Sequence, residues 1–256
     1  FIVMFYCKLF FAKSVYHLQD IHPEAANIVI PMNKVIVNSL QWLDSLVMRN
    51  AELLITITSE MAVEIKNRSK TKAPIHILSN PAVAFDDSML AEIKKQGFTF
   101  CGNAGRLQRI PLLIAAIKQY CEEGGSLPFV FAGAGVYAKD LENLADQYSN
   151  VEYKGLITAA EAAELNTEYE WALLPIEDDV TRFAFPSKSS SYVYSGAFIA
   201  AICGKSTSVS EWVLKNRLGV VVEPTVAGIS HFFPDVEKLS LAVTGFATAR
   251  NALTKT

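Results

Sequence analysis

The sequence predicts an α/β protein built from two Rossmann-like, doubly wound halves, the first of them incomplete. Three observations carry this expectation. Short apolar segments rich in β-branched residues alternate along the chain with segments whose apolar residues recur at helical spacing. Such alternation is the pattern of βαβ units, whose strands run parallel and are buried on both faces. At 256 residues the chain also exceeds the roughly 100–200 residues of a single domain. Its 51% apolar and 19% charged residues supply a large core.

In the first half, Val15 to Leu18 reads as a short strand closed by Gln19-Asp20-Ile21-His22-Pro23. Residues 33–48 carry Val35, Ile36, Leu40, Leu43, Leu46 and Val47 at helical spacing. Glu52 to Thr58 is a buried strand by its β-branched content, and Ser59 is placed to cap a helix from Glu60 to Arg68. Ile75 to Ser79 is a further strand, stopped by Asn80-Pro81. The more polar residues 82–97 read as an interdomain linker, so residues 1–81 form the first half.

The second half, 98–235, begins with strand 98–101, helix 111–122, strand 128–132 and helix 138–148. It continues with strand 151–154, helix 159–166, strand 171–175, helix 187–195, strand 197–202, helix 208–216 and strand 219–222. Residues 236–256 are expected to form a C-terminal helix. The apolar run Phe1 to Cys7 is far shorter than the roughly 20 residues that span a bilayer. It is expected to be a buried helix cut by a fragment boundary, the chain opening on Phe1 and not on Met.

Charge and composition exclude several functions. A net charge of -3 disfavours a non-specific nucleic-acid binder. Cys7, Cys101, Cys121 and Cys203 are scattered without a CxxC, which argues against a disulfide framework or zinc ribbon and suits a reducing cytoplasm. His17, His22, His76 and His231 show no i,i+4 pair, so no metal site is expected.

In doubly wound sheets ligands bind at the carboxyl ends of strands, which directs attention to the strand-to-helix loops. Gly102-Asn103-Ala104-Gly105-Arg106 follows an apolar strand and precedes a helix. Its glycines and free N–H groups suit an anion, with Arg106 and Arg109 to neutralise a diphosphate; a tight turn with two surface arginines reads equally well. Ala132-Gly133-Ala134-Gly135-Val136-Tyr137-Ala138 matches G-x-G-x-x-A, with Glu152 further on, so a dinucleotide loop competes with a structural turn. The position of this loop, one βα unit after the sheet begins, favours the turn. Pro186-Ser187-Lys188-Ser189-Ser190-Ser191-Tyr192 places hydroxyls and a lysine at a helix start, a pocket suited to phosphate or ribose, against a solvated serine-rich cap. Gly204-Lys205-Ser206 lacks the upstream glycine of a P-loop. Asp20, at a strand end, is either a base for an acceptor hydroxyl or a turn cap.

Taken in order, these stretches resemble glycosyltransferase family 4, of GT-B fold, and are similar to enzymes of surface-polysaccharide assembly of the N-acetyl-fucosamine transferase type. Tyr16-His17-Leu18-Gln19-Asp20-Ile21-His22-Pro23-Glu24 resembles the family's "Q/H-D-x-x-P-E", and Asn50 to Glu60 its "ADLIITxSE". Leu78-Ser79-Asn80-Pro81 is similar to the segment before the hinge. Gly102 to Gln108 resembles "GNxGxxQ", Ala132 to Gly135 "VGDG", and Pro186-Ser187-Lys188 with Tyr192 and Gly196 "PSKxxxYLAxG". Glu211 with Gly219 resembles the closing "E…G".

The resemblance implies a nucleotide-sugar donor, UDP-linked by expectation, with no cofactor and no metal. It puts the diphosphate on Gly105, Arg106 and Lys188, the ribose or sugar near Ser187 to Tyr192, Ser189 included, and the base against Gly155 and Leu156. Asp20 would face the acceptor, a polyprenyl-linked saccharide, or the transferred sugar. The family's Glu-x7-Glu pair falls at Phe183 and Ser191 and is therefore absent. The family's phosphate lysine is replaced by Gln108-Arg109, and its N-terminal glycine-rich loop is missing. The basic stretch Lys66 to Lys72, with Trp42, either touches anionic lipid at the inner face of the cytoplasmic membrane or is a solvated loop. Two other functions remain open: an oxidoreductase or epimerase using NAD at Gly133–Gly135, and a non-catalytic sugar-nucleotide-binding subunit.

Overall fold

A computed structural model describes residues 1–80 and 94–236. The chain divides into two compact units, one made of residues 1–80 with 179–185, the other of the remaining described residues. Most of the linker stretch, and the expected C-terminal helix beyond residue 236, lie outside the described residues.

The first unit is a three-stranded parallel sheet, β1 (Val15–Leu18), β2 (Leu53–Thr56) and β3 (Ile75–Ile77), in that order. Its helices are α1 (Ile2–Leu9), α2 (Glu24–Val29), α3 (Lys34–Asn50) and α4 (Ser59–Ser69). Asn33 caps α3 through its side chain, which accepts from the Val35 amide. The cap of α4 is Thr58, one residue before the expected Ser59: its hydroxyl accepts from Met61 N, the three-residue reach that such a cap needs. Helix α2 follows directly on the Pro23 turn; too short to show a period, it carried no signal in the sequence. A cluster around Arg68 holds the helices together. Its guanidinium meets Glu24 and Asp44 and donates to His22 O, and Tyr16 donates its hydroxyl to Asp44. Burial and the Asp44 carboxylate raise the Tyr16 pKa, so the phenol stays a donor. The first apolar run does form a helix, but only Met4 of α1 is buried; Ile2, Val3, Phe5, Tyr6 and Leu9 are exposed, because the helix packs by a single edge.

The second unit has six parallel strands, β4 (Lys95–Cys101), β5 (Phe129–Ala132), β6 (Val151–Tyr153), β7 (Tyr169–Pro175), β8 (Phe198–Ile202) and β9 (Gly219–Val222). Helices α5 (Ile110–Glu122), α6 (Ala138–Gln147), α7 (Ala159–Glu168), α8 (Lys188–Ser195), α9 (Ser208–Lys215) and α10 (Val226–Asp235) connect and cover them. The strand order is β6-β5-β4-β7-β8-β9, so the sheet grows outward in both directions from the boundary between β4 and β7. That is the doubly wound order, and β4–β7 is its switch point. Strand β4 starts at Lys95, earlier than position 98, because Lys95 still pairs with Tyr169 of β7 across an irregularity.

The strands read as continuous apolar runs because both faces are covered. On one face Phe98 stacks on Phe129 with ring centroids 5.0 Å apart, and Phe233 of α10 meets both edge-on at 4.9 and 4.8 Å. Tyr120 of α5 closes the cluster against Phe129 and Phe233. Thr99, buried in β4, donates its hydroxyl to Asn166 Oδ1 of α7 at 3.1 Å and so registers the helix on the other face.

The loops after β4 and β5 touch backbone to backbone. Gly102 N donates to Ala132 O, Ala104 N to Ala134 O, and Gly133 N to Gly155 O, extending the ladder past the strand ends. A β-carbon on Gly133 would lie 1.9 Å from Gly102 O, at a φ of +129°. Gly133→Ala should therefore destabilise the second unit by more than about 3 kcal/mol. Gly124→Ala, also at positive φ but with open space around it, should cost only about 1 kcal/mol. Urea unfolding of the two variants checks the difference.

Candidate functional site

At the carboxyl end of the second sheet lies a hollow of about 510 Å³. Its floor is Cys101, Gly102 and Asn103 after β4 and Ala132 to Gly135 after β5. One wall is Leu156 to Ala159 with Ala162, Ala163 and Asn166 of α7; the other is Lys188 and Ser191 of α8. The size and the concave, mainly apolar lining with a few polar groups are those of a small-molecule site.

Among the described residues, Lys188 is the only charged side chain in that lining. The residue as a whole is half-buried, but Nζ itself is buried and has no hydrogen-bond partner among the described residues. It sits 3.7 Å above the Phe100 ring and close under Gly102. Burial pushes its pKa down to about 7. The same burial raises the neighbouring Cys101 thiol to about 12, so that thiol stays protonated. A lone buried amine without a carboxylate is costly to the fold, and its placement in a hollow is the mark of a functional lysine.

Among the residues anticipated from sequence, the structure brings Gly102, Asn103, Leu156 and Lys188 into one hollow, beside Gly133 and Gly135. Gly155, at φ +66°, turns the chain into the Leu156 wall and accepts from Gly133 N. Gly105 closes the loop after β4: its amide donates to Gln108 Oε1, where a β-carbon would clash. Arg106 is exposed on that loop and is not part of the lining.

Arg109 does not serve as a free cation for a diphosphate. Its Nε donates to Ile176 O at 2.7 Å, and its guanidinium pairs with Glu177 and Asp178 at 3.1 and 2.9 Å. Asp178 in turn accepts from Gly204 N at 2.8 Å. The arginine thus ties together the loops after β4, β7 and β8. Tyr192 and Ser189 also turn inward. Tyr192 is fully buried and donates to Leu173 O at 3.2 Å, because the α8 face that bears it packs on the sheet. Ser189 is buried with an unpartnered hydroxyl and lies outside the lining. Pro186 and Ser187 start α8, with Ser187 exposed and making no side-chain cap bond.

Asp20 belongs to the first unit. It ends β1, forms a bridge with Ala184, and its exposed carboxylate makes no hydrogen bond among the described residues. The sequence pattern did not single out Ile157, Thr158, Ala162, Ala163 or Asn166. Ala162 and Ala163 are small apolar residues of α7 that looked like ordinary helix surface; the Thr158–Glu161 capping box was the available signal for where that helix begins.

The parallel α/β sheets are those of GT-B glycosyltransferases. The chain covers 95% of itself and 47% of TarM with a TM-score of 0.66 at 14% identity. It covers 99% of itself and 71% of Anabaena Alr3699/HepE, solved in complex with UDP, with a TM-score of 0.67 at 13% identity. In sequence it is 25% identical over 222 residues to the Probable glycosyltransferase WbjE of Pseudomonas aeruginosa, a match covering 81% of this chain and 55% of that protein. The chain therefore spans about half the length of this curated relative. No family profile matches it.

Two stability changes test the geometry. Lys188→Met should stabilise the fold by about 1–2 kcal/mol at neutral pH, since it removes a buried unpaired amine. The native state binds fewer protons than the unfolded chain between about pH 7 and the ordinary lysine range, so wild-type stability climbs with pH across that window. The advantage of the methionine should accordingly be largest at pH 7 and below and shrink by pH 9, as read by urea unfolding. Arg109→Ala should lower stability by about 1–3 kcal/mol at either pH, because the Ile176 carbonyl and Gly204 loop lose their anchor.

Proposed function

We propose that the chain binds a nucleotide sugar, UDP-linked, as part of a glycosyltransferase of the family 4 type. The enzyme would move a hexosyl or N-acetylhexosaminyl group, in the manner of the N-acetyl-fucosamine transferases, to a polyprenyl-linked or other saccharide acceptor in surface-polysaccharide synthesis. One observation carries this reading: the unpartnered Lys188 amine in an otherwise uncharged hollow at the switch point. Such an amine calls for an anion. A departing nucleoside diphosphate supplies one whose negative charge grows as the glycosidic bond breaks, so a fixed cation stabilises the transition state more than the ground state.

The remaining roles follow from position. The apolar wall of Leu156 and α7 suits the flat base, and Asn103 and Ser191 offer polar atoms for hydroxyl groups. Arg106, exposed and unpaired on the loop after β4, supplies a second cation from the rim. Asp20 has an uncommitted carboxylate for the acceptor or the transferred sugar. UDP in the structure of the HepE neighbour supports the choice of donor. Contact with the inner face of the cytoplasmic membrane would fall to Lys66, Lys70, Lys72 and Trp42, all exposed; Arg68 is withdrawn into its ion pairs with Glu24 and Asp44.

A second reading, a sugar-nucleotide-binding subunit without transferase activity, is favoured by the lack of any carboxylate among the described residues of the lining. A sugar-transfer assay on the full-length gene product separates the two. Calorimetric titration with UDP and with NAD tests the reading itself. UDP should bind and NAD should not, and NAD binding without UDP would overturn it. Lys188→Ala should weaken UDP binding at least tenfold, and Arg106→Ala by about 1–3 kcal/mol.

A further inference from the structure

We propose that Lys188 grips the donor by taking up a proton: above neutral pH the amine is mostly neutral in the empty hollow and becomes an ammonium when the pyrophosphate arrives. This rests on the nucleotide-sugar reading above and adds a pH dependence to that site.

The groups around the amine motivate it. From β4, the side chains facing Nζ are the Phe100 ring and the protonated Cys101 thiol. On α8 itself, Tyr192 is buried, and its phenol donates to Leu173 O. From α7, Asn166 lines the hollow, while the acids of that helix are engaged elsewhere or exposed. Glu161 closes the capping box with Thr158, Glu164 is exposed, and Glu168 pairs with Lys95. Glu170 of β7 lies near Lys94. Strand β8 and the loop from Gly133 to Gly135 bring no titratable group. Among the described residues no carboxylate holds a proton on Lys188; burial lowers its pKa, opposed only by the neighbouring Cys101.

A bound pyrophosphate reverses this balance. Its negative charge beside the amine favours the ammonium, so the pKa of Lys188 rises on binding. Wherever the pH lies between the free and bound values, one proton is taken from solvent per donor bound, and affinity falls as pH rises. The free amine titrates near 7, so this window opens at neutral pH. The proton moves from solvent buffer to Nζ, and no other bond changes.

The test is isothermal titration of the full chain with a panel of UDP-, dTDP-, ADP- and GDP-hexoses and UDP-N-acetylglucosamine at pH 8, in two buffers of different ionisation enthalpy. Nucleotide sugars are used because their pyrophosphate diester does not titrate near neutrality, whereas the terminal phosphate of UDP has a pKa of about 6. The expected result is uptake of between half a proton and one proton per donor bound. Affinity should fall roughly tenfold or more from pH 6.5 to 8.5. In Lys188→Arg, which stays charged, any donor binding that remains should proceed with almost no proton uptake and little pH dependence. Binding by the wild type without proton uptake and with a flat pH profile overturns the inference and leaves the nucleotide-sugar reading standing. Undiminished uptake in Lys188→Arg also overturns it, by assigning the proton to another group. Failure of every nucleotide sugar to bind sinks both.

Discussion

Gly133 meets the carbonyl of Gly102 with no space for a β-carbon, and the geometry of the second unit's carboxyl edge depends on that contact. It lets the loops after β4 and β5 continue the parallel ladder beyond the strands, so their backbones form a rigid floor instead of two free turns. Gly135 repeats the arrangement against Ala104 O. With the floor fixed, α7 stands on one side, held by Thr99 and Asn166, and α8 on the other, held by Tyr192 against β7. The hollow is the space these four elements cannot fill. Arg109 performs the same service further along the edge, where it binds the loops after β7 and β8 to the start of α5.

The placement of Lys188 opposes the interests of the fold. Arg109 and Lys94, half-buried in the same unit, have acidic or carbonyl partners: Arg109 has Glu177, Asp178 and Ile176 O, and Lys94 has the carbonyls of Asn166 and Thr167. Lys188 has a ring face and a thiol. A chain selected for stability alone would place an apolar residue there, because an unpaired amine loses hydration and gains nothing in return. Stability sacrificed at one position, within a surrounding that is otherwise consistent, is the usual sign of a site kept for its ligand.

Much of the fold was legible in the sequence because buried parallel strands leave a plain trace. Apolar runs such as Phe129 to Phe131 and Trp171 to Leu174 have no other reading between helices of the right length. The site was only partly legible. A sequence shows which residues stand on a strand-to-helix loop but not which way a helix turns once its apolar face is docked. On α8, Lys188 and Ser191 line the hollow while Ser189 and Tyr192 point to the sheet, a separation set by helical rotation and invisible in the serine run. Arg109 was misread for a related reason. Its partners Glu177 and Asp178 lie across the switch point in the next loop, nearly seventy residues away, and local pattern carries no information about such pairings. Helix α2 left too little periodicity to be seen, and α10 was not picked out of the apolar stretch after β9.

The G-x-G-x-x-A loop shows how a motif and its usual meaning can separate. In the dinucleotide fold the glycine-rich loop follows the first strand, at the switch point, where a pyrophosphate can reach both the backbone and a helix start. Here it follows β5, one strand away from the β4–β7 boundary, and both glycines already have a reason to be glycine in the packing of their loop on its neighbour. The loop that does occupy the switch point is Gly102 to Arg106, and the buried cation lies beside it. The lining bears a lysine and no carboxylate, so the electrostatics of the hollow favour a ligand with concentrated negative charge at the strand ends and a flat, weakly polar group against α7. A nucleoside diphosphate has that distribution of charge within its own length. NAD sites commonly hold the ribose hydroxyls on a carboxylate, and among the described residues the lining has none.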